Sequence, residues 1–252
     1  TALAAIAAMP AEQHSQSRWR YFEARLRERA GDAAGRDLFG ELSAEPSYYG
    51  FLAAERIGTP NALCPRDATG DEATLARALQ ARPGFVRAME LYAIGRVGWA
   101  RREWDALKGS LPPEERRVAV ALAEAAGWHD RGPFTLNAGE DLGYYRLRFP
   151  LPHKRQIRRE ARKYGLDPAW VLALIRAESA CAPDARSHAD ARGLMQLLPS
   201  TAQQEARRRG LPYPGDSGLF DAKANLRLGI AHLATMLEQH GGQPFLATAA
   251  YN

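Results

Sequence analysis

Glycine and proline punctuate this 252-residue chain at helix-length intervals, and between them apolar residues recur three and four apart. Residues 17–30 carry Trp19, Phe22 and Leu26 on one stripe and stop at Gly31. A short amphipathic stretch spans 36–42. The next, 47–57, holds Tyr48, Tyr49, Phe51, Leu52 and Ala54 and ends at Gly58. Composition makes 60–70 a loop. Helices are expected over 72–81, from Pro83 through Phe85, Met89, Tyr92 and Ile94, and over 96–107 with Trp99 and Trp104. Pro112-Pro113 opens another at 114–127 on Val118, Ala121, Leu122 and Ala125. No strict repeat aligns. The alanine-rich faces still predict an all-α array of helical hairpins, each burying its stripe against its neighbours. Such an array is a scaffold or a binding surface, and no catalytic set stands out in it.

Residues 143–152 break the pattern. They alternate roughly, contain Pro150 and Pro152, and read as an extended connector. A domain boundary is expected there, with a helical array over 1–149 and a second α-helical domain over 150–252. In the second part, 153–164 is a basic amphipathic helix on Ile157, Ala161 and Tyr164, closed by Gly165. Asp167 suits an N-cap and Pro168 the first helical position. Residues 181–192 form a polar loop. Ser200 is the expected N-cap of a helix over 201–209. A long helix over 225–240 carries Leu226, Ile230, Leu233 and Leu237, and Gly241-Gly242 breaks it. Pro244 opens a final helix. The run from Ala2 to Met9 reads as the tail of a helix, and the chain is expected to be a fragment that continues past Asn252.

With 46% apolar residues the chain can bury a sizeable core, and no stretch approaches the roughly 20 apolar residues of a membrane span. The net charge of +5 lies in the second part: residues 1–150 hold 20 basic and 20 acidic side chains, 151–252 hold 14 and 9. A basic half suits an acidic partner. The aromatics do not interleave with the basic runs as in nucleic-acid-binding motifs, so no nucleic acid is expected. An acidic glycan is the competing partner, and a solvated basic face the bland alternative. Six histidines form no helical His-x-x-x-His pair, and Cys64 and Cys181 lack metal-ligand spacing. Nucleotide-binding glycine loops and a Gly-x-Ser-x-Gly elbow are missing too. Neither a metal nor a cofactor is expected. The cysteines default to buried thiols, with one long-range bridge open in an oxidising compartment.

One residue sits oddly. Val171, Leu174 and Ile175 define an apolar face, and the next position on it is Glu178. A carboxylate there is either a partnered core or capping glutamate, or an acid whose pKa is raised by desolvation. Cleaving a glycosidic bond needs such an acid and something to stabilise an oxocarbenium-like centre. A second carboxylate would come from Asp184, Asp190 or elsewhere. Alternatively, a 2-acetamido group of the substrate would serve.

Four segments carry a resemblance. Leu174-Ile175-Arg176-Ala177-Glu178-Ser179 comes first. Ser187 follows with Gly193-Leu194-Met195-Gln196-Leu197-Leu198-Pro199-Ser200-Thr201-Ala202, then Leu219-Phe220-Asp221 with Asn225 and Gly229, and finally Ala249-Ala250-Tyr251-Asn252. In this order, residues 165–252 resemble the catalytic domain of the soluble lytic transglycosylases, relatives of goose-type lysozyme that cut peptidoglycan. Tyr48-Tyr49-Gly50 and Arg148-Phe149-Pro150 are similar, more loosely, to that family's superhelical and linker regions. The resemblance implies a lysozyme-like fold, Glu178 as catalytic acid, and Ser187, Gly193, Met195, Gln196, Asn225 and Tyr251 as groove-lining or acid-orienting residues. Met195 and Tyr251 have core packing as their alternative, and Asn225 a helix cap. The implied reaction cuts between N-acetylmuramic acid and N-acetylglucosamine and leaves 1,6-anhydromuramic ends. The implied partner is the peptidoglycan glycan strand, in the periplasm, with outer-membrane association open. Three departures stand out: Asp190 where the family has glycine, His232 where tyrosine is frequent, and Cys181 where an aromatic is common. Asp190 keeps a lysozyme-type hydrolase open, and a non-catalytic peptidoglycan-binding module is the other alternative.

Overall fold

The computed structural model describes residues 2–62, 72–137 and 139–252. Among them the regular structure is helical, and the extended pairing consists of isolated bridges, Arg186 with Arg192 and Arg192 with Leu197. Two compact units emerge. Of the described residues, one comprises 2–62 and 139–145, the other 72–137 and 146–252.

In the first unit come α1 (Ala2–Ala7), α2 (Ala11–His14), α3 (Ser17–Arg29), α4 (Ala34–Ser43) and α5 (Tyr48–Ile57); α3 to α5 follow the sequence stripes closely, and the single turn α2 is not among the expected helices. Tyr21 and Ala24 of α3 meet Phe39 and Leu42 of α4 and Ala53 of α5 in a buried apolar core. The α5 start is capped: Ser47 Oγ accepts the Gly50 N–H at 3.1 Å. Arg20 pairs with Glu41 and Glu45 across the α3–α4 seam.

The second unit opens with α6 (Glu72–Gln80), α7 (Pro83–Ala93), α8 (Val97–Lys108), α9 (Pro113–Ala125) and α10 (Arg131–Thr135). Its aromatic centre is Trp104, whose Nε1–H donates to Thr135 Oγ1 at 2.9 Å, beside Trp128, which stacks on Tyr92 at 4.6 Å.

The extended connector expected over 143–152 is not what forms. A 3₁₀ turn spans Gly139–Gly143 and a single helical turn, α11, spans Tyr145–Arg148. Four residues of alternating character fit one helical turn as well as a strand, so the short pattern misleads. Pro150 then bars helix at Phe149, which ends under two guanidiniums, Arg148 at 5.3 Å and Arg176 at 4.5 Å from its ring centre.

Beyond it come α12 (Lys154–Lys163), α13 (Pro168–Ser179), α14 (Pro199–Arg209), α15 (Ala222–Gln239) and α16 (Pro244–Tyr251). Helix α15 is the axis: α12, α14 and α16 all pack on it. Its Leu226, Ile230 and Leu233 join Ile157, Val171, Ile175, Leu194 and Met195 in one core. Two starts differ from expectation. Helix α14 begins at Pro199, with Leu198 as an N-cap that makes no side-chain bond, so Ser200 lies inside the first turn. Proline at the first position brings a preset helical φ and no N–H needing a partner. Helix α15 begins at Ala222, because Asp221 Oδ1 caps the Ala224 N–H at 2.9 Å.

Candidate active site

Helix α13 is built as its sequence predicts. Asp167 Oδ1 accepts the Ala169 N–H at 2.8 Å, and Pro168 follows at the first position. The helix ends abruptly, since Ala180 and Cys181 both take left-handed backbone, at φ 49° and 71°. Ser179 fixes that end: its hydroxyl bonds Ile175 O at 3.0 Å and Leu194 O at 2.8 Å. Glu178 is thereby held half-buried on the wall of a pocket of about 280 Å³, with Ser187, Gln196, Thr201, His232 and Tyr251 around it.

Its carboxylate has no hydrogen bond or ion pair among the described residues, and burial raises its pKa. The last turn of a helix adds to this, because the negative end of the helix dipole disfavours an anion. The partnered-core alternative for Glu178 is thus removed. Ala189, Ala191, Leu197, Leu198 and Asn252 complete the lining, and among the described residues no second carboxylate side chain stands on it.

Around this acid, one buried asparagine organises the backbone. Asn225 lies in the first turn of α15 and caps nothing. Its Oδ1 accepts the Met195 N–H at 2.8 Å, and its Nδ2 donates to Arg192 O at 2.8 Å and Leu219 O at 2.9 Å. Gly193 is required there. Its φ is 75°, and a Cβ would lie 2.4 Å from both Asn225 Nδ2 and Leu219 O. Met195 is fully buried beneath the pocket, filling the space left by Gly229, where a Cβ would be 2.5 Å from its sulfur. Tyr251 donates its phenol proton to Met195 O at 2.9 Å. Burial, then the nearby Glu178, keep that phenol protonated. Gln196 donates to Ala185 O at 3.1 Å and Gly193 O at 2.9 Å, which steers its amide along the pocket wall.

A family model described as "Transglycosylase SLT domain" matches residues 155–252, and one described as "Soluble lytic murein transglycosylase L domain" matches 78–144. The soluble lytic murein transglycosylase of Salmonella typhimurium is 30% identical over 249 residues, which is 98% of this chain and 38% of that protein. The X-ray structure of an inactive glutamate-to-glutamine mutant of lytic transglycosylase Slt from Pseudomonas aeruginosa superposes with a TM-score of 0.91 at 33% identity, over 100% of this chain and 41% of that one. The 70 kDa soluble lytic transglycosylase of Escherichia coli gives 0.87 at 28%, over 98% and 40%. This chain belongs to the soluble lytic transglycosylase family. It spans about two fifths of the length of these relatives.

Within this member of the family, the residues singled out from sequence divide into two groups. Glu178, Ser187, Gln196 and Tyr251 meet on the pocket wall. Gly193, Met195 and Asn225 do not line it; they form the seam beneath that holds the wall in place. Asp190 is not on the wall either. Arg192 and Arg186 both bond its carboxylate and hold its pKa down at about 2. A base for water would have to be free to take a proton, and Asp190 is committed to its arginines. Asp184 is engaged by Arg101.

Sequence reading missed His232 and Thr201 as wall residues. Thr201 falls inside the Gly193–Ala202 motif, which could have flagged it. His232 was visible only as a departure from family habit. Its Nδ1 sits 3.6 Å from Oε2 of the buried Glu205, its ring lies 5.1 Å from that of Tyr251, and burial lowers its pKa. Among the described residues no group of three or more His, Cys, Asp or Glu gathers in metal-binding geometry. Cys181 is a free buried thiol whose pKa burial pushes up to about 12; Cys64 lies outside the described residues.

Proposed function

We propose that this chain carries the catalytic domain of a peptidoglycan lytic transglycosylase, over residues 150–252, preceded by a helical array over 1–149. The observation that carries this reading is the solitary acid. Glu178 is half-buried, unpaired among the described residues and raised in pKa, on a wall where they place no other carboxylate side chain. Protonated at the start, it donates to the oxygen bridging N-acetylmuramic acid and N-acetylglucosamine. As that bond breaks, the 2-acetamido oxygen of the muramic residue closes on C1 and spreads the positive charge. The Glu178 carboxylate then removes the proton of the muramic 6-hydroxyl while that oxygen attacks C1 and displaces the acetamido oxygen. The product is a 1,6-anhydromuramic end. Glu178 regains its proton, so each turnover is balanced without water.

The surroundings suit this cycle. An apolar wall of Ala189, Ala191, Leu197 and Leu198 favours the protonated starting acid and disfavours competing water. Ser187, Gln196, Thr201, His232 and Tyr251 offer the polar contacts that hold two amide-bearing sugars in register. The basic excess of residues 151–252 matches a glycan bearing lactyl and peptide carboxylates. A substrate of that class implies a periplasmic site of action. No helix among the described residues is long and apolar enough to cross a membrane.

Digestion of purified sacculi followed by mass spectrometry tests the proposal. Anhydromuropeptides are the expected products. Hydrated reducing ends would convert the reading into that of a lysozyme-type hydrolase, and unchanged turbidity of the cell-wall suspension would make it that of a binding module.

A further inference from the structure

The loop between α13 and α14 carries Ser187 and Gln196 to the pocket, and it is tethered from outside the catalytic segment. Arg101, on α8, spends all its nitrogens on two aspartates. Nη1 and Nη2 donate to Asp184 Oδ2 and Oδ1 at 2.8 and 2.6 Å. Nε and Nη2 donate to Asp130 Oδ2 at 3.0 and 2.8 Å. The anchor behind this fork is rigid. Asp130 is 2% exposed, Arg131 grips its other face through Nε and Nη2, and the Arg131 guanidinium lies 4.8 Å from the Trp128 ring centre. Such a bidentate pair fixes direction as well as distance.

What it fixes is the approach to the pocket. Asp184 immediately precedes Ala185, whose carbonyl accepts both the Gly193 N–H at 2.9 Å and the Gln196 side-chain amide at 3.1 Å. Three residues beyond Asp184, Ser187 closes its own turn: its N–H donates to Ala191 O at 2.9 Å and its Oγ accepts the Ala191 N–H at 3.0 Å. From Pro183 to His188 every residue is exposed except Ala185, which is half-buried, so apolar packing does little to hold this stretch.

We propose that the Arg101–Asp184 pair is a positioning latch, through which the helices of residues 72–137 set the placement of Ser187 and Gln196 against the substrate. Neither residue of the latch lines the Glu178 pocket. This inference rests on the transglycosylase reading for its effect on turnover, but its effect on the loop stands apart from it.

The experiment has two arms. In the first, kinetics on soluble muropeptides compare wild type with Asp184→Ala, Asp184→Glu and Arg101→Lys. Asp184→Ala is expected to raise KM about tenfold with kcat within about twofold, since positioning is lost while the acid remains. Asp184→Glu keeps a carboxylate for the fork and should recover most of the loss. Arg101→Lys leaves a cation beside Asp130 but removes the fork, and should behave like Asp184→Ala. In the second arm, hydrogen exchange reads the amides of Ser187, Ala191 and Gly193. They should exchange faster in Asp184→Ala, while amides of α13 and α15 keep their wild-type protection. Wild-type KM together with wild-type exchange in the loop overturns the latch. So does a loss of protection spread equally over α13 and α15, which marks a merely structural pair. If the wild-type protein releases no muropeptide, the functional reading fails, and the exchange arm still decides the latch.

Discussion

Two carboxylates twelve positions apart, one on the pocket wall and one on the loop beside it, live in opposite environments. Glu178, at the inner end, has no partner and is held above the ordinary carboxylate range by burial. Asp190, on the outer loop, has two arginines and is held at about 2. Both are written into short local sequence, yet one is kept available for a proton and the other is locked as an anion. Availability in this pocket comes from withholding partners. Any cation brought within hydrogen-bond reach of Glu178 would lower its pKa and reduce the fraction of acid at neutral pH.

The strongest way to break the contrast is to remove its inner member. Glu178→Gln keeps shape and hydrogen-bond capacity but cannot exchange a proton. Release of muropeptides from sacculi should fall about 10³- to 10⁴-fold, the scale of a lost general acid that also serves as base. The fold should gain slightly. A group whose folded pKa is raised binds its proton more tightly in the native state. Its contribution is therefore present below the unfolded value of 4.5 and is lost as pH rises through the folded pKa. Urea midpoints should show Glu178→Gln equal to or above wild type at pH 7 and losing that margin near pH 4. For the wild type, kcat/KM should decline as pH rises through the Glu178 pKa. A variant that kept substantial turnover would end the assignment of Glu178.

Next in size is the seam joining the inner wall to the outer loop. Gly193→Ala forces a side chain into left-handed backbone and within 2.4 Å of a backbone oxygen. Backbone there cannot yield without pulling on Leu194, which Ser179 holds at the end of α13. A loss of about 3 kcal/mol or more is expected in urea unfolding, from strain together with broken Asn225 bonds. A stable, fully active Gly193→Ala would show that wall and loop are less coupled than the geometry says.

The helices are legible in the sequence because their information is local. Stripes such as Leu226, Ile230 and Leu233 repeat at the helical period whatever they pack against. Glu178 is legible as an oddity on such a stripe, and the resemblance supplies its chemistry. The arginine partners of Asp190 stand four and two positions away, so its locked state was within reach of a closer reading. Asn225 is different. Its three partners, at 192, 195 and 219, are fixed only when α15 packs on the preceding loop, so sequence alone left it a cap or a groove residue. The same applies to Arg101 with Asp184 and His232 with Glu205, where tertiary packing makes the pair.

The outer member of the contrast should be nearly silent in catalysis. Asp190→Asn tolerates the φ of 67° at this position, since asparagine accepts left-handed backbone, and it leaves the Glu178 wall untouched. Turnover within about twofold of wild type, with products still anhydro, is expected. A hydrolase using Asp190 as its base would lose most activity instead. The acid limb of stability should change as well. The Asp190 pKa is lowered from 3.8 to about 2, so its contribution is full above 3.8 and disappears as pH falls toward 2. In that window wild type should lose stability faster than Asp190→Asn, as followed by denaturant midpoints.

The smallest expected effect concerns a third titrating group, which neither member of the contrast explains. His232 shares the pocket wall with Glu178, and Tyr251 contacts its ring. The charged groups acting on it are Glu205, itself bonded by Thr235 and Arg209, and Arg208. Burial outweighs Glu205, and the folded pKa lies below 6.5. Near neutral pH the ring is therefore an uncharged acceptor or donor on the pocket wall. The unfolded chain binds the proton more readily, so the fold loses stability as pH falls from about 6.5 toward the folded pKa. His232→Gln keeps a polar wall but removes this titration. Between pH 7 and pH 5 its denaturation midpoint should drop less than that of wild type, and its KM for muropeptides should change less over the same range. Wild-type and variant profiles that run parallel would mean that His232 does not titrate there, leaving Glu178 as the one wall residue whose protonation governs the enzyme.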